Sequence, residues 1–99
     1  MTATVDVRAG SVYISAEVRN TYFKQIQAVV LLIEDNELSI LPVHHMAAGG
    51  CLLKTRNSVG DCVASAPDVF RFKNLEDLDV RSLPARWSTD RGALIVELP

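Results

Sequence analysis

The sequence predicts a mainly β domain with one or two short helices, on three observations. Aliphatic and β-branched residues cluster in short runs, the size expected of strands. Gly, Asn or Asp turns separate the runs. The order of runs also repeats, each half reading strand, Gly turn, strand, short helix, strand, acidic turn, strand, Leu-Pro. With 99 residues, 48% hydrophobic and 22% charged, the composition is that of one globular domain. Residues 1–99 are expected to form that domain, with two similar halves, 1–43 and 51–99, joined by 44–50. A chain this short buries a modest share of its surface, so packing the halves together, or pairing two copies as a homodimer, adds stability.

Each element has a local reason. Thr4, Val5, Val7, Val12 and Ile14 surround Ala9-Gly10, two strands joined by a tight turn whose left-handed backbone Gly10 supplies. Ser15 then stands as an N-cap, Glu17 falls in the first turn, and Val18, Tyr22 and Phe23 follow at helical spacing, which predicts about two turns of helix. The apolar run from Ala28 to Glu34, the polar Asp35-Asn36-Glu37 and the segment Leu38 to Val43 read as a hairpin, with Pro42 ending or edging its second strand. Residues 44–50 lack a period and are the natural linker.

In the second half, Cys51 to Arg56 and Asp61 to Ser65 flank Asn57 to Gly60 as another hairpin, and Pro67 suits the first turn of a second short helix. Asn74 to Ser82 reads as a loop or a single helical turn anchored by Leu75, Leu78 and Val80. Ala85 to Ser88, the turn Thr89 to Gly92 and Ala93 to Leu98 form the closing hairpin.

Ten Lys and Arg against twelve Asp and Glu give a formal charge of −2, so bulk electrostatics do not draw the chain to nucleic acid or an acidic membrane; such binding needs a local patch. The longest apolar run falls far short of the roughly 18–20 residues that cross a bilayer. The N-terminus lacks a basic segment followed by an apolar one. The expectation is a soluble, cytoplasmic protein. Phosphate-loop, nucleophile-elbow and zinc-protease motifs are missing from the sequence. No catalytic residue or cofactor is assigned, and the chain leans away from an enzyme.

His44, His45, Cys51 and Cys62 offer four N and S donors within a short stretch, but neighbouring histidines on an extended chain point to opposite faces. Reduced, partly buried thiols are favoured over metal ligands or a thiolate–imidazolium pair. Glu34, Asp35 and Glu37 read as a solvated turn. Tyr13 and Trp87 flank strands as core or rim anchors, with an interface role as the alternative.

Superposing Gly10 on Gly60 brings Ser15-Ala16 onto Ser65-Ala66, Arg8 onto Ser58, and Glu17 close to Asp68, while the later hairpins end in Leu41-Pro42 and Leu98-Pro99. The stretch from Arg8 to Arg19, followed by Val29 to Leu32 and Glu34 to Pro42, resembles the swapped-hairpin family of AbrB, MazE-type antitoxins and MraZ. Gly10, Val12, Ile14, Glu17, Val18, Arg19 and Pro42 stand at corresponding places. The resemblance implies a pseudo-two-fold barrel with both copies of the repeat in one chain, and duplex DNA as partner. Two departures bear on that expectation. The family's Arg after the turn Gly is Ser11 in one half and Asp61 in the other, and the Pro that opens the helix is Ser15 and Ser65.

Arg8, Arg19, Lys54, Arg56 and Arg71 remain as phosphate contacts, provided that the fold gathers them on one face. A protein-interaction or assembly subunit on the same barrel, using strand edges and Trp87, is the competing expectation. A Cys/His metal-binding protein or small enzyme is the third.

Overall fold

A computed structural model describes residues 3–43 and 50–99. Among these residues nine strands and two short helices follow one another as β1 (Ala3–Arg8), β2 (Ser11–Ile14), α1 (Ala16–Tyr22), β3 (Ala28–Glu34), β4 (Glu37–Val43), β5 (Gly50–Leu52), β6 (Lys54–Thr55), β7 (Cys62–Ser65), α2 (Pro67–Phe72), β8 (Asp79–Ser88) and β9 (Ala93–Glu97). The strands form one sheet in the order β5-β3-β4-β9-β8-β1-β2-β7-β6, curled into a nearly closed barrel.

The two ends of that order are consecutive in the chain. β5 pairs with β3, β6 pairs with β7, and only the buried Leu53 separates them. The Leu53 N–H donates to the Gln27 carbonyl at 2.8 Å, and the Arg56 N–H donates to the Asp61 carbonyl at 2.7 Å. The 50–55 segment therefore joins both edges of the sheet, satisfying backbone groups that an open sheet would expose.

Exchanging the halves leaves the pairing scheme unchanged. If β1 is exchanged with the β5–β6 segment, β2 with β7, β3 with β8 and β4 with β9, then β1–β2 becomes β6–β7, β1–β8 becomes β3–β5, and β3–β4 becomes β8–β9. The β2–β7 and β4–β9 ladders map onto themselves, so they straddle the pseudo-two-fold axis. Each half's first hairpin is built into the other half's sheet: β1 lies between β2 and β8, and the 50–55 strand lies between β7 and β3.

Alternating residues fill the interior. Val5, Val7, Val12, Ile14, Leu31, Leu38, Ile40, Cys62, Ala64, Leu94 and Val96 face inward and are buried, with Phe23 after α1 and Phe70 in α2 contributing fully buried rings. Burying an aliphatic or aromatic side chain of this size contributes roughly 1.5–3 kcal/mol. The inward set is therefore what fixes the strand register.

The hairpins, both helices and Ser15 as N-cap, its Oγ accepting the Val18 N–H at 3.2 Å, match the sequence expectation. The turns Ala9-Gly10 and Asp35-Asn36 have positive φ at both central residues, the backbone that suits two-residue hairpins. Pro42 lies in β4 past the end of the β4–β9 ladder, where its missing N–H is tolerated.

One element differs. β8 begins at Asp79, whereas the sequence predicts a loop or helical turn over Asn74 to Ser82 and a strand only from Ala85. A bulge is the reason: the ladder to β1 shifts register between Val5 and Val7, Ser82 has φ 57°, and its N–H donates to Asp6 Oδ1 at 2.8 Å. One inserted residue breaks the period of two that reveals a strand. Apart from Gly50, the expected linker 44–50 lies outside the described residues.

Candidate nucleic-acid interface

The inward set of β1, β2 and β7 leaves the alternate residues on the outer face. One row crosses four strands as Asp6, Tyr13, Val63 and Lys54, each directly opposite the next. A second row runs Arg8, Ser11, Ser65, with the Ser11 and Ser65 hydroxyls 2.8 Å apart. Tyr13 is the centre of the patch. The Arg8 guanidinium carbon lies 5.4 Å from its ring centroid and that of Arg56 4.6 Å, both within cation–π range. The two guanidinium groups are thus held on one aromatic platform, and Lys54 adds a third cation to the same face.

Arg8 and Arg56 occupy equivalent places under the exchange of halves. Arg8 pairs with Ser11 directly after the first turn, and Arg56 bonds to Asp61 directly after the second, while Tyr13 and Val63 pair with each other on the axis. The sequence superposition placed Arg8 on Ser58. The structure corrects it, because the second turn has Asn57 to Gly60 where the first has Ala9-Gly10, and those extra residues displace the alignment upstream of the glycine. Counting turn residues, rather than aligning on the glycine alone, would have matched the two arginines.

Asp61 has a structural task in this patch. Its Oδ1 accepts the Ala16 N–H at 2.7 Å, at the start of α1, and its Oδ2 accepts from Asn57 Nδ2 at 3.0 Å. These bonds, the Asn57 amide first, hold its carboxyl below the usual aspartate range, helped by the nearby Arg56 charge. Both oxygens are therefore occupied by donors from the protein itself. Asp6 is similarly engaged by the Ser82 N–H. A shallow groove of about 240 Å³, lined by Thr4, Asp6, Tyr13, Ser15, Arg56 and Asp61, runs along this edge.

The hairpin turns also lock the halves together. Gly10, with φ 81°, lies against α2, where its carbonyl accepts the Ala66 N–H at 3.0 Å; a Cβ there would meet the Pro67 Cα at 2.8 Å. Gly60, with φ 101°, lies against Ala16 at the start of α1. Each turn therefore docks on the helix start of the opposite half.

The other two expected contacts do not join the patch. Arg71 is exposed on α2, paired with Asp68 at 2.9 Å. Arg19 is half-buried in the last turn of α1, its Nε without a hydrogen-bond partner among the described residues and its charge acting on the Cys62 thiol. The five cations thus divide into three on the Tyr13 face and two on the helices.

The thiols are poorly placed for chemistry. Cys62 is fully buried, Cys51 is half-buried, and burial raises the pKa of both, which disfavours the thiolate that a nucleophile or metal ligand requires. Their sulfurs lie near the Gly60 and Val29 carbonyls. Among the described residues no group of three His, Cys, Asp or Glu side chains is arranged to hold a metal; His44 and His45 lie outside them. Glu37, expected as part of a solvated turn, accepts from Arg91 at 3.0 Å and Arg86 at 3.4 Å. Trp87 packs at the rim, stacked on Tyr22 at 5.5 Å and edge-on to Phe23 at 6.5 Å. Among the described residues no helix is long and apolar enough to cross a membrane. No family model matches the chain, and comparison with curated proteins and with solved structures found no match.

Proposed function

We propose that the protein is a non-enzymatic DNA-binding barrel, a regulator or antitoxin-type module of the swapped-hairpin kind its first half resembles. It contacts the phosphates of duplex DNA with the outer face of the β1-β2-β7-β6 sheet. The supporting observation is the convergence of Arg8 and Arg56, one from each half, on the Tyr13 ring, with Lys54 on the same face. Guanidinium groups held by an aromatic platform lose less freedom on meeting a phosphate than free side chains do. The contact set narrows from five cations to Arg8, Lys54 and Arg56. This reading places the protein in the cytoplasm, where free thiols such as Cys51 and Cys62 persist.

Three phosphate contacts predict a slope of about −3 for log affinity against log salt, since each contributes roughly −0.9 on B-form DNA. Fluorescence anisotropy with a random-sequence duplex at several salt concentrations tests this. Arg8→Ala/Arg56→Ala should weaken binding at low salt and flatten the slope by about 2, while Arg71→Ala should leave both nearly unchanged. A duplex that fails to bind at low salt, or that binds the double variant as well as the wild type, removes this reading. A second reading, an interaction subunit on the same barrel, is favoured by one observation on another face: Phe72 stands 83% exposed beside Leu32.

A further inference from the structure

The exchange of halves sets residue against residue on the outer face. It carries Arg8–Ser11 onto Arg56–Asp61 and Asp6–Tyr13 onto Lys54–Val63, so Ser11 answers to Asp61, Asp6 to Lys54 and Ser65 to Ser15. Two poles result, and their chemistry differs. One holds the carboxylates of Asp6 and Asp61 with Ser15 and Arg56, whose guanidinium lies over the Tyr13 ring. The other holds Arg8, Ser11, Ser65 and Lys54. Asp79 of β8 stands on the far side of Arg8 from Ser11, and among the described residues the two form no ion pair.

The polar groups at the two poles have different tasks. Ser15 Oγ accepts the Val18 N–H at 3.2 Å and Asp61 Oδ1 accepts the Ala16 N–H at 2.7 Å, so both cap α1. Their counterparts cap nothing. The start of α2 has Ala66 and no side-chain cap, while the exposed Ser65 and Ser11 hydroxyls bond to each other at 2.8 Å. That bond uses one hydroxyl proton, and among the described residues the other has no acceptor. Arg8 stands directly opposite Ser11, and Lys54 stands opposite Val63, two residues from Ser65 on the same face of β7. A cation at each end of a hydroxyl pair suits a tetrahedral anion, whose oxygens accept charge-assisted hydrogen bonds from both kinds of donor. Resting on the DNA-binding reading, we infer that Arg8, Ser11, Ser65 and Lys54 form the anchor for one backbone phosphate, at this pole of the face alone. The carboxylates of the opposite pole repel a second.

Fluorescence anisotropy of the full chain with a random-sequence duplex separates the serine contribution from that of the cations. Ser11→Ala/Ser65→Ala should weaken binding about tenfold, the worth of a hydrogen bond to a charged group, with an unchanged far-UV spectrum. The salt slope should keep its wild-type value, because a hydroxyl displaces no counterion. Ser11→Thr/Ser65→Thr retains both hydroxyls on a residue that favours strands and should bind like the wild type. Replacing chloride with millimolar inorganic phosphate at constant ionic strength should not displace the duplex, since a lone anion lacks the neighbouring backbone contacts. A wild type that binds no better than the alanine variant, or a threonine variant as weak as the alanine one, overturns the anchor and leaves the DNA-binding reading standing. Displacement by inorganic phosphate assigns the site to a free anion and overturns the backbone contact. A wild type that binds no duplex at low salt overturns the anchor and the DNA-binding reading together.

Discussion

Replacing Gly10 with alanine adds one methyl group where the first hairpin of one half meets the second helix of the other. Two costs arise. The left-handed backbone, φ 81°, disfavours an L side chain by roughly 1–2 kcal/mol. The new Cβ would also lie 2.8 Å from the Pro67 Cα and 3.0 Å from its Cβ, atoms of a rigid ring and backbone that cannot rotate aside; overpacking of this kind costs about 1–3 kcal/mol. Gly92 provides the control, because its φ of 62° is also left-handed but nothing among the described residues lies within 4 Å of its Cβ position. The backbone penalty and the loss of unfolded-state freedom are shared by the two substitutions. The difference between Gly10→Ala and Gly92→Ala therefore isolates the contact between halves, and it should be about 2 kcal/mol. For a domain near this size that corresponds to roughly 8–16 °C in melting temperature. Urea titrations of both variants followed by Trp87 fluorescence give the two values. If Gly10→Ala and Gly92→Ala are equally destabilising, the first hairpin does not dock on α2, and the exchange of hairpins between halves is refuted.

Asp61 predicts a pH dependence. Its carboxyl titrates below the ordinary aspartate range because Asn57 and the Ala16 N–H favour the charged form, so its contribution is present above the unfolded-state pKa and is lost as pH falls through the folded one. The urea-midpoint gap between wild type and Asp61→Ala should hold steady above about pH 5 and shrink below about pH 4; a gap independent of pH contradicts the assigned bonds. Trp87→Ala should cost about 2–4 kcal/mol and abolish the near-UV circular dichroism from its stack on Tyr22, and a loss below about 1 kcal/mol would mean that the stack is not formed. With a disulfide reagent near neutral pH, the fully buried Cys62 should react only after urea unfolding, and the half-buried Cys51 should react more slowly than a free cysteine, accelerating as pH rises. Rapid labelling of two thiols in the folded protein would contradict their burial.

Much of the fold was legible because its signals are local. Ser15 announces α1, Pro67 announces α2, and Ala9-Gly10 and the polar Asp35-Asn36-Glu37 announce turns, the second of which proves two residues long because Glu37 already belongs to β4, each through backbone preferences that act within a few residues. The first half of β8 was hidden because the bulge at Ser82 interrupts alternation, and the Asp6 carboxylate that bonds the Ser82 N–H is far away in sequence. The site was legible only in part. Arg8, Lys54 and Arg56 are visible as cations, but their gathering depends on β2 pairing with β7, a long-range contact set by the exchange of hairpins. The unequal turn lengths concealed that Arg8 and Arg56 are counterparts. Asp61 stands where the resembled family has an arginine, yet its carboxylate oxygens are taken up by α1 and Asn57, which only the packed structure reveals.

The claim that Arg8, Tyr13 and Arg56 form a phosphate-binding face is tested most directly by nuclear magnetic resonance of the isotope-labelled chain titrated with a short duplex at low salt. The account predicts that amide and guanidinium signals of Arg8, Ser11, Tyr13, Lys54 and Arg56 shift together and return as salt is added, while Arg86, Arg91 and Phe72 stay in place. Shifts centred on Arg86 and Arg91, or none at any residue of the Tyr13 face, would contradict it.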